Sequence, residues 1–376
     1  MDFTLTNRER EYLGLRKIKD NWEYLVLENI TLYFEENRIV KFIRHTVNGY
    51  QENEMDLLTK DKNLILPKTK KGKPKKLTYA SISSSNPVGQ SFQFSNTYIT
   101  FYNHTTKRNY LTSIIDNKTD TPLKDLRKWL DNYISNSSSE EISDIWNFVN
   151  SKKKNVKYKE GDFFAFKIDR RNYCFGRLLF DVKRFKKTDN FKVENNLGLS
   201  QLIATPLLVK AYHFISPNKN IPLSQLDNLK SFPSEFIMDN NLFYGDYEII
   251  GNKPLMPEEL EFPIQFGLSI PSGDGRKKYF QYGKIYKEVS KDSFQDSNHY
   301  DFTIKSIGFD IDLKKSIIID CIKAKSNEHY WQAKHEFRNK DLRSPKYSTI
   351  KNAIFENLGL NPNKNYWENY QLTNRI

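Results

Sequence analysis

Two carboxylates spaced for metal chemistry lie in the run Phe-Asp-Ile-Asp-Leu-Lys that ends at Lys314. Alternate residues of a strand face the same side, so Asp310, Asp312 and Lys314 can converge on one divalent ion. Carboxylates that hold a metal in this way are used by metal-dependent nucleases. The competing interpretation is a strand end with its polar face in water, because no third carboxylate or base accompanies the pair. A nuclease is therefore the least favoured of the alternatives.

The remaining metal and phosphate patterns are weak. His329 and His335 stand six residues apart, whereas a metalloprotease helix needs two histidines four apart. Cys174 and Cys321 lie in separate apolar, strand-like runs, which favours two free buried thiols over the alternative, one disulfide between them. They are not paired at the spacing of a structural zinc site. The glycine-rich run 272–278 precedes a strand pattern, so it predicts a hairpin turn and not a phosphate loop. We expect no metal and no cofactor.

A basic strip between residues 151 and 190 is the leading candidate for contact with a partner. It holds 13 basic and 5 acidic residues. Arginine and tyrosine are residues that interfaces favour as anchors. The candidate partner-binding residues are Arg170, Arg171, Tyr173, Arg177, Lys183 and Arg184. The alternative, which stays open, is that Arg170 and Arg171 form a solvated hairpin tip.

A β-hairpin positions most of these residues. Residues 163–168 form an aromatic strand, residues 169–172 (Asp-Arg-Arg-Asn) have turn chemistry, and residues 173–180 form a second strand. Residues 265–286 repeat much of this pattern around a glycine-rich turn. The stretches 163–180 and 265–286 are either copies of one β-hairpin unit or two hairpins that look alike because all hairpins alternate.

The rest of the chain predicts a strand-rich α+β protein with two domains. Helical spacing over residues 122–149, broken at 135–139, predicts two helices, and a third is expected at 348–358 with Gly359 as its C-terminal cap. Short strands are predicted at 23–27, 31–34, 39–43, 98–102, 204–214, 247–250, 300–309 and 317–324. A charged linker at 151–155 separates a domain of residues 1–150 from one of residues 156–376. We expect curled antiparallel β-sheets with a few peripheral helices.

The chain has excess positive charge, and we expect it to be cytoplasmic because neither a signal peptide nor a membrane-spanning run is indicated. The 376 residues carry a net charge of +13, from 59 basic and 46 acidic residues. Only 15 of the basic residues are arginines, a mix that favours compositional drift over a dedicated nucleic-acid surface. The run 67–76 holds six lysines and no aromatic residue, which favours a solvated loop over a phosphate contact. No signal peptide and no membrane-spanning run are indicated, so we expect no membrane contact.

Several motifs in the second domain carry a family resemblance. One strand opens with Gly161-Asp162, followed by two phenylalanines and an alanine, and its partner strand holds Gly176-Arg177. The stretches 247–255 and 258–263, and the helix that runs into 358–362, add to the pattern. In these features residues 156–376 resemble the immunity protein 26 family of bacterial polymorphic toxin systems. The first domain has no assigned family.

The resemblance implies a non-enzymatic protein that binds and neutralises a cognate toxin by stoichiometric contact. The family supplies no established functional residues, so none is carried over. Inhibitors of nuclease toxins tend to be acidic, so a chain of +13 implies a toxin with an acidic surface or a mainly apolar contact. The alternative functions are nucleic-acid binding through a basic aromatic β-surface and, less favoured, the nuclease. No heptad or self-complementary stripe in the sequence indicates an oligomeric state.

Overall fold

The computed structural model describes residues 3–96, 98–115, 121–194, 199, 202, 204–268, 278–289, 315–333 and 341–373. Over these residues it contains seventeen strands in antiparallel sheets and eleven helices. Strands hold 34% of the residues and helices 29%, so the predicted strand-rich α+β class is confirmed. The chain divides into two compact units, Met1–Asn155 and Val156–Ile376, named here the first and the second unit.

Most of the first unit is one antiparallel meander. Its described strands are β1 Glu23–Leu27, β2 Ile30–Glu35, β3 Arg38–Thr46, β4 Gly49–Lys60, β5 Leu64–Ile65, β6 Lys75–Lys76, β7 Val88–Ser95, β8 Tyr98–Asn103 and β9 Arg108–Ile114. Its described helices are α1 Asn7–Tyr12, α2 Tyr79–Ser83, α3 Pro122–Ser135 and α4 Ser139–Val149. The sheet has the order β1-β2-β3-β4-β7-β8-β9, and β5 and β6 extend it beside β4.

Helices α3 and α4 begin where local chemistry favours a helix start. Proline occupies the first position of α3, where its missing N–H costs nothing. At α4 the Ser138 hydroxyl accepts the Glu141 N–H at 3.3 Å, and the Glu141 carboxylate accepts the Ser138 N–H at 2.9 Å. Leu126 and Leu130 of α3 and Ile145 of α4 are buried in a core shared with the sheet. The predicted helix pair is therefore confirmed.

The second unit contains two antiparallel sheets. Its described strands are β10 Asp162–Lys167, β11 Tyr173–Asp181, β12 Pro206–Ser216, β13 Glu235–Met238, β14 Glu248–Asn252, β15 Ile264–Leu268, β16 Lys278–Tyr282 and β17 Ile285–Val289. Its described helices are α5 Val182–Phe185, α6 Asp189–Glu194, α7 Asn240–Phe243, α8 Lys315–Ala324, α9 Glu328–Gln332, α10 Ser348–Asn357 and α11 Tyr366–Thr373. One sheet has the order β13-β12-β11-β10-β14, and the other β15-β16-β17.

The five-stranded sheet is covered on both faces. On one face, Phe164 and Leu178 belong to a core cluster that includes Cys321 of α8. On the other face, Phe163 and Phe175 belong to a cluster with a short 3₁₀ turn that follows β12. Strand β11 is consequently buried from residue 174 to residue 180. Its inner residues therefore show no alternation between buried and exposed positions.

The predicted strand at 317–324 is wrong, because these residues lie in helix α8. Three consecutive isoleucines, 317–319, give the stretch the β-branched composition of a strand. However, Ile318, Cys321 and Ile322 recur at helical spacing and pack against the sheet cluster. Burial of that stripe outweighs helix propensities, which differ by less than about 1 kcal/mol per residue. The predicted strand at 300–309 lies outside the described residues.

The second hairpin-like stretch differs in detail from the first. After the glycine-rich turn this stretch does not form the single strand of the hairpin pattern but two strands, β16 and the start of β17, joined by a turn at Gly283 with φ +59°. Gly176 holds the matching place in the sequence pattern, yet it lies within β11 and pairs with Phe164. The two glycines therefore serve different backbone geometries. That the two stretches are copies of one unit stays a prediction.

Candidate partner-binding surface

The turn between β10 and β11 holds Arg170 and Arg171 in a fixed backbone geometry. The Asp169 carboxylate accepts the backbone N–H of Arg171 at 2.7 Å and that of Asn172 at 2.9 Å. Behind them the Ile168 N–H donates to the Asn172 carbonyl at 3.0 Å. An aspartate that accepts from N–H groups two and three residues further on forms an Asx turn. Asp169 therefore sets where both arginines leave the backbone.

Three of the six candidate residues lie together at this turn. They are Arg170, Arg171 and Tyr173, named here the hairpin tip. Arg171 is exposed, whereas Arg170 and Tyr173 are half-buried. Tyr173 packs against the core cluster that contains Phe175, which restrains its ring. Two arginines close in sequence to a restrained aromatic ring suit contact with an acidic protein surface.

Two further candidates, Lys183 and Arg184, lie at the opposite end of β11. They belong to α5, and the Asp181 carboxylate caps this helix by accepting the Arg184 N–H at 2.9 Å. Both side chains are exposed. Tyr173 and Asp181 are eight residues apart along β11, or about 26 Å in an extended strand. The structure therefore does not bring Lys183 and Arg184 together with the hairpin tip.

Arg177 lies in the interior of the second unit, where it cannot touch a partner. The residue is 4% exposed, and its guanidinium donates to the carbonyls of Lys253 at 2.9 Å and Pro254 at 3.1 Å. It also pairs with the Glu259 carboxylate and lies over the Phe163 ring at 4.5 Å. The expectation that Arg177 is a surface contact is thereby corrected. Its contacts tie β11 to the segment that follows β14.

The Gly161-Asp162 motif is also interior. Gly161 has φ +87°, and a Cβ at this position would lie 2.3 Å from the Lys253 carbonyl oxygen. Asp162 is buried, and its carboxylate accepts the Lys159 N–H at 2.7 Å and the Asn252 side-chain amide at 2.8 Å. Only glycine combines a positive φ with the absence of a Cβ atom, so only glycine fits position 161. The motif therefore holds β10 against β14.

Gly176 allows an aromatic ring to cross β11. A Cβ on this glycine would lie 2.4 Å from Cζ of Phe164 and 2.7 Å from the Lys210 carbonyl oxygen. The Phe164 ring fills the space and stacks on Tyr247, with centroids 5.1 Å apart. Gly176 thus completes a set of buried residues that fix the spacing of β10, β11 and β14. This set, Gly161, Asp162, Gly176 and Arg177, is named here the structural frame.

A buried ionic cluster in the first unit was not apparent from the sequence. The Glu52 carboxylate accepts from Arg10 at 2.9 Å, from Lys41 at 2.5 Å and from the Tyr50 hydroxyl at 2.6 Å. Burial raises the pKa of Glu52, but the charges of Lys41 and Arg10 outweigh it and lower the pKa to about 2. The only sign in the sequence is the polar run 51–54, which lies in β4. All four side chains are closed off from water, so the cluster supports the fold.

A second ionic cluster joins distant parts of the second unit. Arg343 donates to the Asp341 carboxylate at 2.7 Å, to Glu261 at 2.6 Å and to the Ser234 carbonyl at 2.8 Å. Glu261 and Ser234 are 82 and 109 residues away from Arg343 in the chain. No local pattern marks such a contact, so sequence reasoning had no means of finding it.

The described histidines do not surround a metal. His213 Nε2 lies 2.7 Å from the Asn327 side-chain oxygen, and His104 Nε2 lies 3.1 Å from the Ser91 hydroxyl. Burial lowers the pKa of both imidazoles. Within the described ranges, no three His, Cys, Asp or Glu side chains come close enough to hold one ion.

The nuclease hypothesis falls on residues outside the described ranges. Asp310, Asp312 and Lys314 lie there, as do His335 and the glycine-rich residues 272–277. The prediction of two buried thiols is confirmed, since Cys174 and Cys321 are buried and neither forms a disulfide. No helix in the described part of the chain is long and apolar enough to cross a membrane.

Comparison with known proteins gives one match. Residues 159–275 match the protein-family model described as Immunity protein 26. The matched segment contains the hairpin tip and the whole structural frame, and it confirms the family resemblance over these residues. The resemblance of the remaining residues up to 376 stays a prediction. Proteins of this family are immunity proteins of toxin systems. No curated protein and no solved structure matches the chain.

Proposed function

From the immunity protein 26 match over residues 159–275, we propose that this chain binds a cognate bacterial toxin and neutralises it without catalysis. The match is the single observation that carries the proposal. Neutralisation then requires one bound immunity protein for each toxin molecule, with no turnover and no cofactor. The contacts of the structural frame hold the strands of the matched sheet together. This supports a rigid binding surface that loses little conformational entropy on association.

We place the toxin contact at the hairpin tip. Arg171 is exposed and Arg170 is half-buried, the position is basic, and Asp169 restrains its backbone before any partner arrives. A tip with two guanidinium groups suits an acidic patch on the toxin, since complementary charge steers encounter and fixes register. Arg177 takes no part in this contact because it is buried and its two terminal guanidinium nitrogens donate inside the unit.

A capture experiment tests the proposal. The tagged full chain is recovered from its native host, with and without nuclease treatment, and the captured species are identified by mass spectrometry and by absorbance at nucleic-acid wavelengths. One stoichiometric protein that persists after nuclease treatment is the expected result. The purified toxin should then lose its activity at a molar ratio of one. Residual toxin activity at saturating immunity protein would contradict neutralisation by binding.

A pair of charge reversals tests the location of the contact. Arg170→Glu with Arg171→Glu should slow toxin association at least about tenfold, since charges at an interface rim act mainly on the association rate. Lys183→Glu with Arg184→Glu makes the same change of net charge at the far end of β11 and should leave the rate within about threefold. Equal effects of the two double variants would show that only net charge matters, and would remove the hairpin tip as the contact.

Nucleic-acid binding is the second candidate function. The observation in its favour is the lysine-rich stretch 68–76, every residue of which is exposed. Backbone phosphate contact makes affinity fall steeply with salt, by a log–log slope near the number of phosphates neutralised. Titration of the full chain with duplex and single-stranded oligonucleotides at several salt concentrations measures this slope. A flat slope would exclude this function, whereas a steep slope without protein capture would replace toxin binding by it.

A further inference from the structure

The outer edge of β1 exposes more apolar side chain than any other described strand of the first unit. β1 reads Glu-Tyr-Leu-Val-Leu and, among the strands that the structure describes, pairs only with β2. Tyr24 is 70% exposed, Val26 56% and Leu25 36%. Natural sheets protect their edges with lysine, proline, a bulge or a covering loop. β1 contains no lysine or proline, and its register with β2 is unbroken.

The backbone of this edge is ready to pair. A two-residue turn joins β1 to β2, so the residues that flank it, Leu27 and Ile30, form the closing hydrogen-bonded pair. Along an antiparallel pair, every second residue bonds to the neighbouring strand and the residues between turn away from it. Counting back from Leu27, Tyr24 and Val26 direct their N–H and C=O groups outward. The most exposed side chains and the outward backbone groups therefore belong to the same two residues.

We infer that a second copy of this chain pairs antiparallel with β1, about a two-fold axis at Leu25. In this register Tyr24 of each copy lies opposite Val26 of the other, and aromatic–β-branched pairs are favourable across strands. These two pairs also carry the outward groups, so the register forms four backbone hydrogen bonds between copies. Leu25 faces its symmetry mate, and Glu23 faces Leu27 and not a second carboxylate. The edge is thus complementary to itself in hydrogen bonding, side-chain packing and charge.

The distribution of charge permits this contact. Residues 1–150 hold 22 basic and 19 acidic residues, a net of +3, whereas residues 151–376 hold 37 and 27, a net of +10. Repulsion between copies is therefore weak for the unit that pairs. A strand of five residues buries less than the roughly 1,200 Å² of a stable interface. The dimer should accordingly be weak, and its population should rise with protein concentration. This inference does not depend on the toxin.

Sedimentation velocity of the full chain over a concentration series tests the pairing. The wild-type chain should pass from monomer to dimer. Val26→Lys puts a charge on the pairing edge twice in each dimer and should raise the dimer Kd at least about tenfold. Val47→Lys is the matched control, because Val47 is 90% exposed but lies in the turn between β3 and β4. This control should dimerise like the wild type.

A cross-link tests the register. The Leu25→Cys variant places two thiols directly opposite each other in a pair that lacks mutual hydrogen bonds, where Cα atoms are about 4.5 Å apart and a disulfide can form. Mild oxidation should give a covalent dimer of Leu25→Cys much faster than of Val47→Cys. The wild-type chain should give none, because Cys174 and Cys321 are buried.

Two results would overturn the inference. One is a wild-type chain that stays monomeric at every concentration while Leu25→Cys links no faster than Val47→Cys. The other is a monomeric chain whose toxin affinity falls in Val26→Lys, which would assign the edge to a strand of the toxin and not to a second copy. Loss of toxin binding in the hairpin-tip variants has no bearing on either result, so the failure of one proposal is distinguishable from that of the other.

Discussion

Arg177 directs a full positive charge into the second unit, where Glu259 and two carbonyl oxygens satisfy most of its donors. Arg177→Met is uncharged and of similar length, so it removes the guanidinium from the Phe163 ring and leaves those carbonyls without a donor. Removing one partner of a buried ion pair costs about 3–5 kcal/mol. Part of this cost is avoided here because the Glu259 carboxylate is partly exposed and can be solvated by water. We expect a loss of about 2–4 kcal/mol in the free energy of unfolding, measured by urea denaturation.

Arg171→Met is the matched control for this prediction. Arg171 is exposed, so its replacement should change the free energy of unfolding by less than about 0.5 kcal/mol. The two variants should therefore separate stability from binding: Arg177→Met lowers stability, and Arg171→Met lowers affinity for the toxin. If the Arg177→Met chain has wild-type stability but binds the toxin more weakly, Arg177 contacts the toxin and this assignment to the interior is wrong.

Glu52 makes the first unit sensitive to acid. Its pKa is about 2 in the folded chain and near its ordinary value of 4.5 when unfolded. A carboxylate with a lowered folded pKa stabilises the fold above the unfolded pKa, and this stabilisation is lost as the pH falls from about 4.5 to 2. The difference is worth about 3 kcal/mol. Thermal unfolding between pH 7 and pH 2 should show the first unit weakening in that window.

Glu52→Gln tests this assignment directly. The substitution leaves Arg10 and Lys41 as buried cations without a carboxylate, so the first unit should be less stable at pH 7. The loss of stability between pH 4.5 and pH 2 should be smaller than in the wild type, with the remainder coming from other carboxylates such as Glu35, whose pKa is lowered by the hydrogen bond it accepts from Lys19. Glu36→Gln, in the exposed turn after β2, should keep the wild-type acid profile. A Glu52→Gln chain with an unchanged acid profile would rule out Glu52 as the titrating group.

At the scale of elements, Gly176 sets the approach of β10 to β11. Gly176→Ala puts a Cβ into the space of the Phe164 ring and should destabilise the second unit by about 1–3 kcal/mol. In a Phe164→Leu background the ring atoms are gone, so the same substitution should cost less. A double-mutant cycle by urea denaturation measures the difference. If the destabilisations of Gly176→Ala and Phe164→Leu add up to that of the double variant within about 0.5 kcal/mol, the Phe164 ring is not the group that excludes a side chain at position 176.

The elements that could be predicted from the sequence are those whose structure is specified by residues close together in the chain. Helices α3 and α4 have start signals and a single apolar stripe, and the β10–β11 turn has its own aspartate and asparagine. Helix α8 was missed because isoleucine-rich composition resembles a strand, and its helical stripe is satisfied only by a sheet far away in sequence. The two ionic clusters have the same non-local origin.

The candidate surface was predictable only in part. The sequence located the hairpin and its basic residues, but it gave no means of telling an inward arginine from an outward one. Alternation normally makes that distinction, and β11 has none because both faces of its sheet are covered. Arg177 was consequently grouped with Arg170 and Arg171. The separation of Lys183 and Arg184 from the tip follows from the length of β11.

At the scale of the whole molecule, each unit has hydrophobic clusters of its own. Two lie entirely within Met1–Asn155, and three lie entirely within Val156–Ile376. We expect the two segments, produced separately, to fold and to unfold cooperatively, as followed by circular dichroism and limited proteolysis. The second segment should retain toxin binding, and the first should retain self-association. A segment that is unfolded on its own would refute the division into independent domains.

The structural frame has a consequence for how such proteins diversify. Its four residues are interior, so they determine the shape of the sheet but cannot contact a toxin. Chains that share the frame should therefore share a scaffold while being free to recognise different targets. Substituting residues 170 and 171 with those of a relative should change which toxin is tolerated in a cell-survival assay, with no change in the unfolding midpoint. Substitutions at the hairpin tip can then change which toxin is recognised, while the structural frame maintains the stability of the fold.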